Sequence, residues 1–215
     1  GDSNASACEG CLVTAFQDGK EHCTSNKDAT VYYNSNPCML RFSNHNFLLA
    51  NSTEDQMKWI NLGNTLNFPT GVDSITHLLF MLLNSTAQAA ANSSRRFTTS
   101  RLGVNSVPTM YCFMQCTPDL TPDDCTACLQ LVLKHTIKSL DGAEGGRILG
   151  TWCSMRYELY HFYEGVPMLA IPAVNGTMPP TRYPHSQSYP PAAAPPRLVQ
   201  ATVQEQQGMQ TSHPV

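Results

Sequence analysis

No long apolar run is present: the longest, Leu78 to Leu83, is six residues, against about 20 for a membrane-spanning helix. No stretch of this chain therefore reads as a membrane span. Positive charge is also scarce. Thirteen Lys and Arg stand against sixteen Asp and Glu, for a net charge of −3, and Arg95-Arg96 is the one adjacent basic pair. A nucleic-acid partner needs a basic stripe to neutralise phosphates, so that class is excluded. Catalytic signatures are missing too. The chain has no H-E-x-x-H, G-x-S-x-G or G-x-G-x-x-G pattern and no kinase catalytic motif. Its seven histidines (His22, His45, His77, His135, His161, His185, His213) are scattered without ligand spacing. The sequence offers no activated nucleophile, metal site or phosphate loop. It reads as a non-enzyme with no cofactor and no metal.

Cysteine is abundant instead, with nine in 215 residues. Two stretches echo each other: Ala7-Cys8-Glu9-Gly10-Cys11-Leu12 and Asp124-Cys125-Thr126-Ala127-Cys128-Leu129. Each is followed, after 26 and 24 intervening residues, by another cysteine in a similar setting, Cys38-Met-Leu-Arg-Phe-Ser and Cys153-Ser-Met-Arg-Tyr-Glu. Two copies of one cysteine-framed unit is the reading. Such cysteines serve either metal or disulfides. Five N-glycosylation sequons, at Asn4, Asn51, Asn84, Asn92 and Asn175, tilt the choice towards a secreted, oxidising setting.

Periodicity predicts a helix from Asn4 to about Cys23, with Cys8, Leu12, Ala15 and Phe16 on one face, and strands over Thr30 to Phe42. Val72 to about Ala91 has helical apolar spacing. Thr109 to Gln115 reads as a strand. The clearest helix start is Thr121 as N-cap, Pro122 at the first position, and Asp123 and Asp124 in the first turn. That helix should run to about Leu140 and turn Cys125, Cys128, Leu129, Val132 and Ile137 inward. Strands follow at Arg147–Trp152 and Ser154–Tyr163. The Pro- and Gln-rich end should not pack a core.

Cys116, Cys125 and Cys128, with the flanks Gln-Cys-Thr-Pro-Asp-Leu and Gly-Gly-Arg-x5-Cys-x2-Arg-Tyr-Glu, resemble the plant ginkbilobin-homologous (salt-stress/antifungal) domain. That domain carries a C-x8-C-x2-C signature. It occurs in tandem in cysteine-rich receptor-like kinase ectodomains and cysteine-rich repeat secretory proteins. The resemblance covers roughly residues 1–165. It implies an α+β fold, with two helices packed on an antiparallel sheet per domain and disulfides framing each. Residues 1–45 would be the C-terminal part of a first domain, 46–58 a connector, 59–167 a complete second domain, and 168–215 a disordered tail. The first signature cysteine of the first domain would fall nine positions before Cys8. The chain is therefore expected to be a fragment or a truncated gene product, with its first domain cut in mid-fold.

The resemblance further implies the bridges Cys116–Cys125, Cys128–Cys153 and Cys11–Cys38. Cys8, Cys23 and Cys112 remain as unpaired thiols, and the apolar Ile60 and Leu140 stand where a third bridge would sit. Zinc on Cys112, Cys116, Cys125 and Cys128 is the competing reading; the sequons and the resemblance both favour oxidation. A mannose site in this family uses Asn, Arg and Glu, which match Asn61, Arg147 and Glu158. A carboxylate accepting from sugar hydroxyls beside guanidinium and amide donors is sensible chemistry for a sugar. The competing reading, and the stronger one, is that Arg147 and Glu158 form a structural ion pair that orients the last two strands. An odd separation would turn them to opposite faces of one continuous strand, so they are expected on different strands or across a bulge. The implied role is a non-catalytic extracellular or apoplastic ligand-binding module in stress or defence signalling, its partner a glycan of mannose type or a co-receptor. The alternative is a secreted mannose-binding antifungal protein.

Overall fold

In the computed structural model, residues 4–32, 38–44, 46, 60–63, 73–104, 107–139 and 143–172 are described. The chain divides into two compact units, one built on residues 4–50 and the other on 51–193.

The first unit contains helix α1 (Ala5–His22) and an antiparallel pair, β1 (Asp28–Tyr32) and β2 (Met39–Ser43). Asn4 caps α1, its side-chain oxygen accepting from the Ala7 amide at 2.8 Å; such a cap satisfies one of the orphan donors of the first turn. The buried side of α1 is Cys11, Ala15, Asp18 and Gly19. Cys11, Ala15, Cys23, Ala29 and Val31 form one apolar cluster, with Cys38, Leu40 and Phe42 against it. The face expected from periodicity is therefore rotated. Of Cys8, Leu12, Ala15 and Phe16, Ala15 alone is buried; Leu12 is 42% and Phe16 61% exposed. The hairpin decides which side of α1 is covered, and it covers the side with the small residues.

The second unit is a six-stranded sheet in the order β3-β6-β7-β5-β4-β8. Its strands are β3 (Ile60–Gly63), β4 (Phe97–Val104), β5 (Val107–Cys116), β6 (Gly146–Leu149), β7 (Cys153–Glu158) and β8 (Leu169–Ile171). Helices α2 (Asp73–Asn92) and α3 (Pro122–Ser139) pack on each other and on the sheet. The fold is α+β, as the resemblance implies. Two details differ from the sequence expectation. The sheet is mixed rather than purely antiparallel, because β8 runs parallel to β4 at the edge. Leu169–Ile171 also falls inside the stretch assigned to the tail. There Met168 donates its amide to Thr99 Oγ1 at 3.2 Å, and the short apolar run between Pro167 and Pro172 finishes the sheet. Residues 173–215 lie outside the described residues, as do most of the connector at 46–58 and position Leu140.

Strand alternation sorts the sheet into two faces. Met110, Cys112, Met114, Ile148, Met155 and Tyr157 are fully buried, as are Leu82 and Leu83 on α2 and Leu129 and Val132 on α3. Full burial of such side chains stabilises by roughly 1.5–3 kcal/mol each before the entropy cost of ordering them. The start of α3 follows the sequence signal. Thr121 Oγ1 accepts from the Asp124 amide at 3.1 Å and donates to the Asp124 carboxylate at 2.6 Å. Arg96, at φ 52°, closes the end of α2. Its guanidinium donates to the carbonyls of Ala91 and Ser93, and across to that of Leu120. One half of the single basic pair is thus committed to the fold.

Candidate functional site

Two disulfides fasten α3 to the sheet. Cys116, at the end of β5, bonds Cys125, and Cys153, at the start of β7, bonds Cys128. The two bonded helix positions lie three residues apart, about one turn, on one face of α3. The first unit holds Cys11–Cys38, between α1 and the start of β2. Cys8 is a free, exposed thiol; Cys23 and Cys112 are free and buried. Burial pushes the Cys112 thiol up to about 12, against partial relief from hydrogen bonds with Thr86, Phe113 and Ser100. It behaves as a small core residue, not a nucleophile.

Cys112 is not grouped with Cys116, Cys125 and Cys128 as a zinc site, since those three are each in a bridge. Asp18, Glu21 and His22 at the end of α1 are the one group with metal-ligand spacing among the described residues. Glu21 and His22 are exposed while Asp18 is on the covered side of α1, and neither sequence nor structure adds anything that points to an ion there.

The outer face of the sheet carries the polar chemistry. Residues directly opposed on antiparallel strands share a face, and Arg147 opposes Arg156, which opposes Phe113; Glu158 opposes Tyr111. Arg147 and Glu158 therefore occupy one face on two separate strands, with the Gly150–Trp152 turn between them. Glu158 is engaged: Arg156 Nε donates to its carboxylate at 2.9 Å. Arg156 also donates to Tyr160 Oη at 2.9 Å and lies 4.3 Å from the centroid of the Phe162 ring. Burial raises the Glu158 carboxyl above its ordinary range, and the Arg156 charge offsets part of this. Burial lowers the Arg147 guanidinium to about 10, Arg156 adding to the effect and Glu158 opposing it. One carboxylate thus serves two facing guanidinium groups.

Gly145 explains the Gly-Gly-Arg motif. A Cβ at that position would collide with the Glu158 carboxylate and stand 3.2 Å from the Tyr157 carbonyl. Glycine is needed there for close approach, not for its backbone freedom. The register opposes position 61 to Ile148 and position 62 to Arg147. The structure brings Arg147 and Glu158 together on one face. Arg156 is the residue that sequence reasoning passed over. Its signal was the two-residue spacing from Glu158, which puts both on one face of a strand.

Of the sequons, Asn4 and Asn92 are exposed and Asn84 is half-buried, while Asn51 and Asn175 lie outside the described residues. Asn92 donates its side-chain amide to the Gln88 carbonyl at 2.9 Å. The third residue of the Asn84 sequon, Thr86, is fully buried and bonded to Ser100.

The model of the salt stress response/antifungal family matches residues 1–45 and 63–160. The chain is 37% identical over 190 residues to cysteine-rich receptor-like protein kinase 6 of Oryza sativa subsp. japonica, covering 83% of this chain and 26% of that protein. It is 36% identical over 163 residues to cysteine-rich receptor-like protein kinase 10 of Arabidopsis thaliana, covering 76% and 23%. The tandem DUF26 ectodomain of the Arabidopsis thaliana cysteine-rich receptor-like protein PDLP8 superposes with a TM-score of 0.58 at 20% identity, covering 73% of this chain and 67% of that one. This likeness supports the fold alone. The chain belongs to the salt stress response/antifungal family. It spans about a quarter of the length of these two relatives. Among the described residues no helix is long and apolar enough to cross a membrane.

Proposed function

We propose that this chain is an extracellular, non-catalytic recognition module of the receptor-like kind, acting in stress or defence signalling. Its ligand is an apoplastic molecule or a co-receptor ectodomain. The observation that carries this reading is the covalent frame around α3: two bridges within one helical turn hold a sheet whose outer face is polar and aromatic. Bridges of this kind persist in oxidising compartments and not in the cytosol. The relatives' own names, receptor-like protein kinases, agree with it. Within the module, residues 59–167 extended by β8 to Ile171 form the recognition domain, and residues 1–45 belong to a preceding one. Exposed sequons at Asn4 and Asn92 support such a setting.

Mannose capture by Asn61, Arg147 and Glu158 is not the reading favoured here, because Glu158 is already bonded to Arg156.

A soluble decoy tests the reading. The chain secreted into plant tissue should compete for the ligand and blunt an elicited stress or defence output. A version with Cys128→Ser and Cys153→Ser, at matched apoplastic levels, should not. An undiminished response with the intact chain contradicts the proposal.

A further inference from the structure

The solvent side of α2 is unusual for an uncovered helix face. After Asp73 the helix carries no Asp, Glu, Lys or Arg, although charged residues normally line such a face. Its exposed positions include His77, Phe80, Gln88 and Asn92. Phe80 is 46% exposed, and among the described residues of the second unit it is the one exposed Phe, Tyr or Trp. Asn84, half-buried, follows four residues later on the same face and opens the sequon Asn84-Ser85-Thr86. Helical side chains lean towards the helix N-terminus, so Asn84 covers the turn before its own Cα, where Phe80 stands. A group extending from Asn84 Nδ2 is thereby aimed over the Phe80 ring.

The other described sequons are placed differently. Asn4 caps α1 with its side-chain oxygen, and Asn92 donates Nδ2 to the Gln88 carbonyl. Asn84 makes no side-chain hydrogen bond among the described residues, and it alone follows an aromatic residue by one turn. Its partner Thr86 is fully buried, donating to the Leu82 carbonyl at 2.6 Å and sharing a hydrogen bond with Ser100 Oγ. A transferase that recognises the sequon hydroxyl cannot reach it there, so modification has to precede the packing of α2. We propose that Asn84 carries an N-linked glycan whose first N-acetylglucosamine lies on Phe80 and covers this neutral face. The donor is an oligosaccharide carried on a lipid diphosphate. A bond forms between Asn84 Nδ2 and the anomeric carbon, the bond from that carbon to the diphosphate oxygen breaks, Nδ2 gives up one proton, and the lipid diphosphate leaves. The C–H face of the attached pyranose suits a phenyl ring, and its hydroxyls return a polar surface to solvent. The inference rests on the extracellular reading above and adds which site is modified and what the sugar does there.

The test uses the whole chain recovered from a plant secretory pathway. Peptide N-glycosidase in heavy-oxygen water should convert Asn84 to labelled aspartate in the mapped peptides. Amides of α2 should exchange about fivefold more slowly in the glycosylated chain than in Asn84→Gln, the scale set by taking about 40 Å² of apolar ring out of water. Phe80 is exposed, so Phe80→Ser should fold normally and abolish that difference. After trimming to the first sugar, its protons should show ring-current shifts that Phe80→Ser loses, a readout that needs no change at Asn84. A bare Asn84 beside glycans at Asn4 or Asn92 would overturn the inference and leave the extracellular reading intact; no glycan at any sequon would contradict both. An occupied Asn84 with unchanged exchange in Phe80→Ser, or concentration-dependent protection marking a second copy on this face, would overturn the role given to the sugar. A failed decoy experiment with Asn84 occupied would remove the receptor role and leave this site standing.

Discussion

Cys116 on β5 and Cys153 on β7 stand directly opposite each other in register, and each is bonded to the start of α3, through Cys125 and Cys128. Two neighbouring strands are thereby tied to one turn of one helix. The short Cys116–Cys125 link and the longer Cys128–Cys153 link meet at one end of the sheet. This end should be the most rigid part of the second unit.

The two bridges should not be equal. They span sequence separations of 9 and 25 residues. If a bridge acts by restricting the unfolded chain, each contributes about 2–4 kcal/mol, and the longer loop gives about 1 kcal/mol more than the shorter. Denaturant unfolding of the paired Cys128→Ser/Cys153→Ser and Cys116→Ser/Cys125→Ser variants checks this. A larger loss from removing the shorter link would count against the entropic account.

Glu158 should titrate above its ordinary value of 4.5, because burial disfavours its charge. A carboxyl whose folded value is raised holds more protons folded than unfolded. Its contribution to stability therefore falls as pH rises from the ordinary value through the raised one. Glu158→Gln should remove that slope. Arg156→Gln should move the Glu158 midpoint further up, since the Arg156 charge lowers it. Carbon-detected NMR titration of the carboxyl reads both, and a downward move in Arg156→Gln would contradict the assigned pairing.

The repeat places Leu12 with Leu129 and Phe16 with Leu133. Their surroundings differ: 42% and 61% exposed on α1, against 0% and 6% on α3. Leu129→Ala should cost the second unit about 2–5 kcal/mol. Leu12→Ala should cost the first unit less than about 0.5 kcal/mol. Hydrogen exchange resolves the units separately, and comparable losses at the two positions would refute the rotated face of α1.

Thiol chemistry should separate two of the free cysteines, Cys8 and Cys112. Cys8 is exposed and should alkylate readily in the native protein. Cys112 is buried, with its thiol pushed up to about 12, and should react only on unfolding. Mass spectrometry after a brief iodoacetamide pulse at neutral pH distinguishes them. Native labelling of Cys112 at the rate of Cys8 would be incompatible with the core described here.

Much of the fold was legible because its signals are local. Thr121-Pro122-Asp123-Asp124 marks the start of α3 through hydrogen bonds made within four residues. What escaped depends on distant partners. β4, β3 and β8 are short or polar stretches that become strands only because a neighbour supplies the ladder, as Thr99 does for Met168. The side of α1 that is buried was misread because the hairpin β1–β2, not the apolar count, chooses it. In the outer-face cluster, the nearness of Arg147 and Glu158 follows from the turn at Gly150–Trp152.

The central claim is that oxidised sulfur bridges, made outside the cytosol, hold the second unit together. Non-reducing peptide mapping of the chain recovered from a plant secretory pathway tests it most directly. The account predicts linked peptides joining Cys116 to Cys125 and Cys128 to Cys153, and none containing Cys112. Recovery of those four sulfurs as free thiols, or on a bound metal ion, would contradict it.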